Sequence, residues 1–403
     1  MNVLIIPSWY PDKNKTNWGK GEISGSFFLE QAKEINSRAN VQVIYVMIHS
    51  LRKLKLKKIL SLFSFSWSNE DGIRTARLNT FNFFPKSSRA LVFQYKIYAR
   101  IIFLFLAFSK KFKVPEIIHC HSPFFGGVIA MYASKKFNAE LIFTEHSRQH
   151  PNYILPYENM LYKKIIESST RVIALSRNFV NFLNKDQDVP LKKISLVPNM
   201  IPRFCLDYVH KKDAYEPIFR FIFVGALIDL KRPLDLLQAF YEIDHEKYNC
   251  HLTIIGKGYL YKQCNDFITR HNLRKKVSLL GELSREETIF NISRSSCLCS
   301  VSSTESFGLS ILEAQSFGLP VISTRSGGPE DLINKHNGTI IEVGNIEQIK
   351  NAMMSIIDNK ENYDSTKIRH ACLNKYHPEV ITEELISIYR KTISSRNLKN
   401  KLS

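Results

Sequence analysis

The sequence contains no apolar run long enough to cross a lipid bilayer as a helix. Its most apolar internal stretch, Ile101 to Phe108, is bounded by Arg100 and by Lys110 and Lys111, whereas a spanning helix needs ~20 apolar residues. The N-terminus, MNVLIIPSWYP, lacks the basic segment and the long apolar run of a signal peptide and has the pattern of a first β-strand. We therefore expect a cytoplasmic protein.

Cysteine pairs and two common catalytic motifs are also missing. The 7 cysteines are scattered and form no C-x2-C pair, which is typical of reduced thiols in a cytosolic protein. Cys297 and Cys299 share one face of a predicted strand, but no histidine or third cysteine accompanies them, so they are a poor zinc site. The absence of G-x4-GK[ST] and G-x-S-x-G weakens NTPase and serine-hydrolase interpretations. We expect no metal ion and no other cofactor.

Acidic residues are few relative to basic ones. The sequence has 37 Asp and Glu against 56 Lys and Arg, a formal charge of +19, and such an excess attracts nucleic acid, anionic lipid or phosphorylated substrates. The cations concentrate between Leu51 and Lys113, where they alternate with apolar residues in LRKLKLKKILSLFSFSW and KIYARIIFLFLAFSKKFK.

This composition is typical of basic amphipathic segments that lie on anionic membranes. It predicts a peripheral position on the inner face of the cell membrane. Helices that cover one face of a domain with solvated lysines are the alternative, and this stays open. No recognition motif points to nucleic acid, which we do not expect as a partner.

The pattern of apolar runs predicts two α/β domains. Strand-like runs alternate with helical patterns from VLIIPS through VQVIYVMI, EIIHCHS and ELIFTEHS to RVIALS, with a helix near Phe27 to Asn36, and the alternation starts again at RFIFVGAL. This order favours two doubly wound, Rossmann-like units, each with a parallel sheet wrapped by helices. We assign them to residues 1–202 and 218–377, with a linker over 203–217. The final segment, 378–403, is predicted to be a helix that packs back on the first domain.

The strongest motif is ESFGLSILE, from Glu305 to Glu313, which follows the strand SCLCSVS and opens a helix predicted from about Phe307. The backbone amides of Phe307, Gly308 and Leu309 would be unpaired first-turn donors, and the glycine would let an anion approach closely. Helical spacing puts Glu313 below the start of the helix and Glu305 at its mouth. A phosphate and a diol would satisfy this arrangement. An acidic residue at a helix N-terminus followed by an ordinary salt-bridged glutamate would also explain it.

The longer segment ESFGLSILEAQSFGLPVISTRSGGPEDLI is similar to the signature of family 4 glycosyltransferases of the GT-B fold. VGALIDLKRPLDLLQAF resembles the donor-phosphate segment of that family, and LTIIGKG, VSLLGELSREE and VIALS…ISLVPNMI resemble other parts of it. The resemblance covers nearly the whole chain. It implies two Rossmann-like domains that face each other across a cleft and an enzyme that uses a nucleotide-sugar donor as substrate.

The resemblance also implies roles for individual residues. Glu313 would hold the donor ribose hydroxyls, Glu305 would contact the transferred sugar, and Lys231 would bind the donor pyrophosphate. Lys231 and Arg232 precede Pro233, a predicted first helical residue, and cations at the positive end of a helix favour an anion beside them. Where many relatives carry an arginine this chain has Ala226, so Arg232 supplies the second charge or the phosphate is held more weakly. The predicted donor-binding set comprises Gly25, Gly225, Lys231, Arg232, Ser306, Phe307, Gly308, Leu309 and Glu313.

Two histidine-bearing loops follow strands of the first domain, around His121 and His146. A histidine in such a place is more often structural, but the loop TEHS resembles the place where relatives keep a histidine near the sugar and the acceptor. We therefore predict His146, with Glu305, as the catalytic pair, ahead of His121. The loop GEISGSFFLEQA resembles the glycine-rich loop of the family, in which Gly25 would open a helix facing the donor phosphate.

The resemblance implies a retaining transfer in which the acceptor attacks on the face that the leaving diphosphate vacates. The basic, aromatic-rich first domain favours a lipid-linked or saccharide acceptor in cell-surface polysaccharide assembly. Two alternatives stay open here. One is a nucleotide-sugar epimerase of the same fold, and the other is a basic protein that binds nucleic acid or membrane.

Overall fold

The computed structural model describes most of the chain. The described residues are 1–7, 10, 26–50, 64–82, 89–107, 109–121, 123, 125–146, 156–207 and 218–402. They fold into two α/β units, each built on its own sheet.

In the first unit the described residues form an eight-stranded sheet. Its strands are β1 Asn2–Ile6, β2 Asn40–Ser50, β3 Ser64–Glu70, β4 Ile73–Asn82, β5 Ile117–Cys120, β6 Glu140–Thr144, β7 Arg171–Ala174 and β8 Ile194–Leu196. Their order across the sheet is β3-β4-β2-β1-β5-β6-β7-β8. All neighbouring strands pair in parallel except β3 and β4, which pair in antiparallel fashion. The order reverses at β1, so the edge between β1 and β5 is a switch point of the kind that binds ligands.

The hairpin of β3 and β4 was not predicted. Asp71 and Gly72 connect the two strands, both with positive φ, which suits the tight turns that match strand twist. Inside the hairpin the Arg77 guanidinium makes two bonds of 2.6 Å with the carboxylate of Glu70. Residues 64–67 of the predicted basic amphipathic segment are therefore part of a strand. The residues before them, 51–63, lie outside the described part of the chain.

Helices lie on both faces of this sheet: α1 Ser26–Asn36, α2 Arg89–Ala107, α3 Phe125–Phe137, α4 Pro156–Ser168 and α5 Arg177–Lys185. The alternation of side chains along β1 gives each face its own core. Leu4 and Ile6 pack in one core with residues of α2 and α3, whereas Val3 and Ile5 pack in the other with residues of α1. Among the described residues, no helix combines the length and the apolar content required to span a membrane.

The second unit has a six-stranded parallel sheet. Its strands are β9 Phe219–Val224, β10 Cys250–Ile255, β11 Val277–Gly281, β12 Cys297–Ser300, β13 Val321–Thr324 and β14 Gly338–Ile341, in the order β11-β10-β9-β12-β13-β14. Its helices are α7 Pro233–Tyr241, α8 Tyr261–Arg270, α9 Arg285–Ser293, α10 Leu309–Ser316, α11 Ile346–Asp358 and α12 Ser365–Tyr376. The switch point lies between β9 and β12, because the order reverses there.

Two segments join the units. A short helix, α6 Arg203–Asp207, begins the predicted linker, whose remaining residues, 208–217, lie outside the described part of the chain. The final helix, α13 Pro378–Leu402, begins at the predicted residue. Its residues Ile381, Leu385 and Tyr389 are buried in the same core of the first unit as Val3 and Ile5. The last helix of the chain therefore covers one face of the first sheet.

Candidate active site

Loops at the carboxyl ends of strands in the two units contact each other. Ser176, which follows β7, donates a hydrogen bond of 3.1 Å from its hydroxyl to the carbonyl oxygen of Ser306, which follows β12. The amide of Arg177 donates to the Asp331 carboxylate at 2.5 Å. In such folds ligand sites lie at the carboxyl ends of the parallel strands, and these contacts join the two units at those ends.

The loop that carries Glu305 is fixed by the turn after β13. The Glu305 amide donates to the carbonyl oxygen of Ser326 at 2.9 Å, and the Gly328 amide donates to the Glu305 carbonyl oxygen at 2.7 Å. A Cβ added at Gly328 would lie 2.4 Å from the Phe307 Cα, so the turn needs glycine at this position for close approach. The family resemblance includes this segment but implies no role for it. In the structure it positions the Glu305 backbone.

Lys231 and Glu305 form an ion pair between Nζ and Oε2. Lys231 ends a 3-10 turn, Asp229–Lys231, in the loop after β9, while Glu305 lies in the loop after the neighbouring strand β12. The two loops are also joined through Ser303, whose amide donates to the Leu230 carbonyl oxygen at 2.8 Å. Both side chains are partly exposed, at 25% and 18%. The pair is therefore accessible to a ligand at the switch point of the second sheet.

Gly225, the first residue after β9, lies beside the lysine of this pair. A Cβ added there would be 3.9 Å from the Lys231 Cδ. The neighbouring Gly256 belongs to the segment LTIIGKG, and a Cβ added there would lie 1.8 Å from the Gly225 carbonyl oxygen. Gly256 thus permits two loop backbones to approach, a structural role.

Helix α10 starts at Leu309, two residues later than the predicted start at Phe307. Gly308 is its N-cap, with φ of 104° and no side-chain hydrogen bond to the cap. The Phe307 ring is buried in the core beside Ile311, so only the backbone of this residue is available for a ligand. The structure thus brings the backbone of Ser306, Phe307, Gly308 and Leu309 to the mouth of the helix beside Glu305.

Glu313 lies on α10 and is almost completely buried, with 2% of its side chain exposed. One of its carboxylate oxygens, Oε1, is paired with the Arg285 guanidinium at the first residue of α9. Burial opposes the charge of Arg285, but the Glu313 carboxylate outweighs it and raises the pKa of Arg285 above its ordinary value. Arg285 was not predicted from the sequence. The capping box of Ser284 and Glu287 could have located the start of α9, but not the partner of its first residue.

Arg232 is held by local contacts, with 34% of its side chain exposed. It caps α7 with φ of 50°, and its Nε donates to the Asp235 carboxylate at 2.6 Å. A Cβ added at Gly344, in the turn before α11, would be 2.8 Å from the Arg232 Nη2. The charge of Arg232 is therefore shared with Asp235, so the prediction that it binds phosphate requires it to serve two anions.

The predicted histidines belong to a buried cluster at the switch point of the first sheet. The Nδ1 of His121, which follows β5, lies 2.9 Å from the Nε2 of His146, which follows β6. The Phe28 ring of α1 contacts both imidazoles, with ring centres 5.1 Å away. Burial lowers the pKa of His146 to about 4 and the pKa of His121 well below its ordinary value. Both imidazoles are therefore neutral at physiological pH, suited to hydrogen bonding and not to carrying charge.

A third histidine links this cluster to the last helix. His119, on β5, lies 2.6 Å from the Tyr389 hydroxyl through Nδ1 and 2.6 Å from the Thr144 hydroxyl through Nε2. Gly25 lies outside the described part of the chain, although α1 begins at the next residue, Ser26.

Both units match known families. Residues 59–203 match the model described as Glycosyltransferase Family 4, and residues 208–371 match that of Glycosyl transferases group 1. An uncharacterized glycosyltransferase of Methanocaldococcus jannaschii is 28% identical over 61% of this chain and 66% of that protein. The UDP-Gal:alpha-D-GlcNAc-diphosphoundecaprenol alpha-1,3-galactosyltransferase of Escherichia coli is 28% identical over 68% of this chain and 75% of that protein.

Solved structures share the fold at low sequence identity. HepE of Anabaena, in complex with UDP and glucose, superposes with a TM-score of 0.70 at 15% identity, over 97% of this chain and all of that one. WaaG, a glycosyltransferase involved in lipopolysaccharide biosynthesis, gives a TM-score of 0.66 at 12% identity, over 96% and 99% of the two chains. The two matching models extend over most of the chain. The protein therefore belongs to the family 4 glycosyltransferases of the GT-B fold.

Proposed function

We propose that this protein is a retaining glycosyltransferase that moves a sugar from a nucleoside-diphosphate sugar to a lipid-linked or saccharide acceptor in cell-surface polysaccharide biosynthesis. The observation that carries the proposal is the ion pair of Lys231 and Glu305 at the switch point of the second sheet. In a nucleotide sugar the pyrophosphate and the sugar are joined by the bond that breaks. A cation for the phosphate and a carboxylate for the sugar must therefore lie side by side, as these two residues do.

The diphosphate would bind between Lys231 and the mouth of α10. The first-turn amides of a helix are donors for an anion, and Gly308 leaves space for its approach. Gly225 lies beside the same lysine and has no side chain of its own. Arg232 would add its charge only in part, because Asp235 already bonds to it.

Glu313 would accept hydrogen bonds from the ribose hydroxyls. The Arg285 guanidinium holds its Oε1, which leaves Oε2 as the oxygen for the diol. A buried carboxylate that is paired on one side binds a diol in a fixed orientation, which a solvated carboxylate does not.

Transfer would proceed on one face of the sugar. The bond between the anomeric carbon and the phosphate oxygen breaks, and the acceptor hydroxyl oxygen forms a new bond to that carbon on the same face. The acceptor proton passes to a phosphate oxygen of the leaving nucleoside diphosphate. Lys231 and the helix amides would stabilise the negative charge that grows on the diphosphate.

His146 and Glu305 would orient the sugar during this step. Because burial keeps His146 neutral, it can share a proton with a sugar hydroxyl without adding positive charge near the anomeric carbon. Its other ring nitrogen lies against His121, which fixes the plane of the ring.

The acceptor class is supported by the relatives and by one face of the first unit. The Escherichia coli relative is named for a diphosphoundecaprenol-linked acceptor, and WaaG for lipopolysaccharide biosynthesis. Helix α2 exposes Phe93 and Leu104, with 62% and 58% of their area accessible, and between them it exposes Lys96 and Arg100. Apolar side chains interleaved with cations are suited to an anionic membrane surface, where such an acceptor would lie on the cytoplasmic face.

A donor screen tests the proposal directly. The purified full-length protein is incubated with UDP-, GDP- and ADP-sugars, and donor hydrolysis and thermal stabilisation are measured for each. We expect one nucleotide class to be hydrolysed slowly and to raise the melting temperature. A protein that binds none of them, or one that returns an epimerised sugar nucleotide without transfer, would overturn the proposal.

A further inference from the structure

The buried Glu313 carboxylate is paired with an arginine, Arg285, that has no assigned role in binding the nucleotide. Arg285, its partner, comes from a different helix and has 28% of its side chain exposed, against 2% for Glu313. A buried carboxylate must be paired or it loses charge or stability. Arg285 therefore fixes the orientation of the Glu313 carboxylate.

Arg285 is itself held by the linker between the two units. Its guanidinium carbon lies 4.4 Å from the centre of the Phe204 ring, on α6. A guanidinium over an aromatic face is stabilised by a cation–π interaction. The next residue of α6, Cys205, lies close enough to Glu313 for an electrostatic interaction. Burial is the larger cause of the raised pKa of its thiol, and the Glu313 charge adds to it. The carboxylate, the guanidinium and the linker helix thus form one packed group.

The first unit contributes to the same group. Glu30 of α1 lies within electrostatic reach of both Arg285 and Glu313. Its neighbour on the helix, Glu34, pairs with Arg203 of α6, where Nη2 and Oε2 are 3.0 Å apart. Among the residues that the structure describes, the Arg285 Nε is buried without a hydrogen-bond partner. The guanidinium thus has a donor left over beside the two carboxylates.

We propose that Arg285 is the positioning residue of the nucleotide site, holding Glu313 in the orientation that selects a ribose diol, and that Phe204 of the linker keeps Arg285 in place. This inference rests on the proposed function, in which Glu313 accepts the ribose hydroxyls. It adds that recognition of the diol depends on two residues that do not touch the nucleotide.

The test compares a nucleoside diphosphate with its 2′,3′-dideoxy analogue, using the base found in the donor screen. The ratio of the two dissociation constants measures diol recognition alone, because both ligands share the base and the diphosphate. We expect the wild-type protein to prefer the ribonucleotide about tenfold or more, as suits hydrogen bonds to a charged group.

Arg285→Gln should bring this ratio close to one while the affinity for the dideoxy analogue stays within about threefold of wild type. Arg285→Lys keeps the cation but loses the planar fork and part of the contact with Phe204, so its ratio should be intermediate. Phe204→Leu should lower the ratio less than Arg285→Gln. Arg274→Gln is the matched control. Arg274 is exposed in the turn before β11, whereas Arg285 follows the other end of that strand. Its ratio should equal that of the wild type.

A wild-type preference for the diol that survives in Arg285→Gln and Arg285→Lys would overturn the inference. If Arg285→Gln does not fold because Glu313 loses its partner, Arg285→Lys decides, and a ratio equal to that of the wild type would count against the proposal. An equal loss of affinity for both ligands would also overturn it, since that would indicate general structural support. A wild-type protein that binds neither nucleotide would instead overturn the proposed function, a result distinct from all of these.

Discussion

Lys231 and Glu305 form an ion pair, but substitution of each residue is expected to change donor binding differently. On the proposed function, Lys231 would pair with two anions once the diphosphate binds, whereas Glu305 would gain the sugar hydroxyls as partners. Removing either side chain also releases the other. The two substitutions are therefore expected to differ in their effect on nucleotide binding.

Lys231→Ala should weaken nucleoside diphosphate binding by about 1–3 kcal/mol, the range for losing a charge-assisted hydrogen bond. Glu305→Gln should slow transfer greatly but leave that binding intact or slightly tighter, because the lysine loses its competing partner. Calorimetric titration of both variants and a transfer assay measure these effects. Unchanged donor binding in Lys231→Ala, or lost binding in a folded Glu305→Gln, would contradict the assignment.

Glu30 makes the stability of the fold depend on pH. Burial, opposed in part by Arg285, raises the pKa of its carboxyl from 4.5 to about 7. Between these values the folded protein binds more protons than the unfolded chain, so the free energy of unfolding falls as the pH rises. The stabilising contribution is complete below about pH 4.5 and is lost as the pH rises through about 7.

Glu30→Gln should remove this dependence. At about pH 8 the variant should be more stable than the wild type by on the order of 1–3 kcal/mol, and near pH 5 the two should converge. Urea unfolding at both pH values measures the difference. Glu246→Gln, at an exposed glutamate of the second unit, serves as the control and should not change the slope. A constant difference between Glu30→Gln and the wild type across this range would refute the account.

At the scale of elements, α13, the last helix in sequence, packs against the first sheet, which contains the first strand. α13 follows the second unit in sequence but buries Ile381, Leu385 and Ile386 in the core of the first. Tyr389 adds a polar contact in that core, its hydroxyl lying 2.6 Å from His119 Nδ1. A buried hydrogen bond of this kind fixes the register of the helix as well as adding stability.

Tyr389→Phe keeps the ring and removes only the hydroxyl. We expect it to lower the free energy of unfolding by about 1–2 kcal/mol, because it leaves His119 Nδ1 buried without its partner. Tyr241→Phe, at an exposed tyrosine of α7, is the matched control and should be within about 0.5 kcal/mol of the wild type. Chemical denaturation followed by circular dichroism measures both. Equal effects of the two substitutions would indicate that the buried hydroxyl does not stabilise the docked helix.

Elements with a regular apolar period could be predicted from the sequence, and those fixed by tertiary pairing could not. The helix of residues 26–36 and the helix that starts at Pro233 were predicted close to their observed bounds because apolar spacing and caps are local signals. The hairpin of β3 and β4 was missed because residues 64–67 were grouped with a basic amphipathic segment and no local pattern marked β4. Its stability comes from pairing with β2, which a local pattern does not reveal.

The residues of the candidate site show the same contrast between local sequence signals and tertiary contacts. Glu305, Glu313 and Lys231 were recognised because they belong to a continuous motif or follow a strand. Arg285 was missed because its importance comes from a partner on another helix. The roles assigned to all these residues stay predictions until the binding experiments are done.

At the scale of the whole molecule, the two units contact each other through residues that follow strands, such as Ser176 with Ser306 and Arg177 with Asp331. The linker helix α6 and the Glu30 group lie at the same junction. The proposed donor site of the second unit is thereby in contact with the first unit, which carries the histidine cluster. On the proposed function, the acceptor would reach the donor from the first unit.

At the same scale, the outer face of α2 has the composition of a surface that binds an anionic membrane. Phe93, Ile97 and Leu104 are exposed at helical spacing, and Lys96 and Arg100 lie between them. If this face lies on an anionic membrane, Lys96→Gln with Arg100→Gln should weaken binding to vesicles that contain phosphatidylglycerol by about 1 kcal/mol per cation. Phe93→Ser with Leu104→Ser should weaken it further, because it removes the apolar part of the contact.

Cosedimentation with anionic vesicles at low and moderate salt measures these effects. Lys335→Gln with Lys367→Gln removes the same charge from exposed positions of the second unit, so a specific face predicts that this control still binds like the wild type. Binding should fall with added salt, since the attraction between the cations and the lipid acts within about one Debye length, ~10 Å at 0.1 M. Turnover of a water-soluble acceptor should survive in every variant, because α2 lies on the outer face of the first unit and contributes none of the predicted site residues. If the α2 variants and the control bind vesicles equally well, the helix only covers its domain, and the charge of the chain must be explained by its substrates.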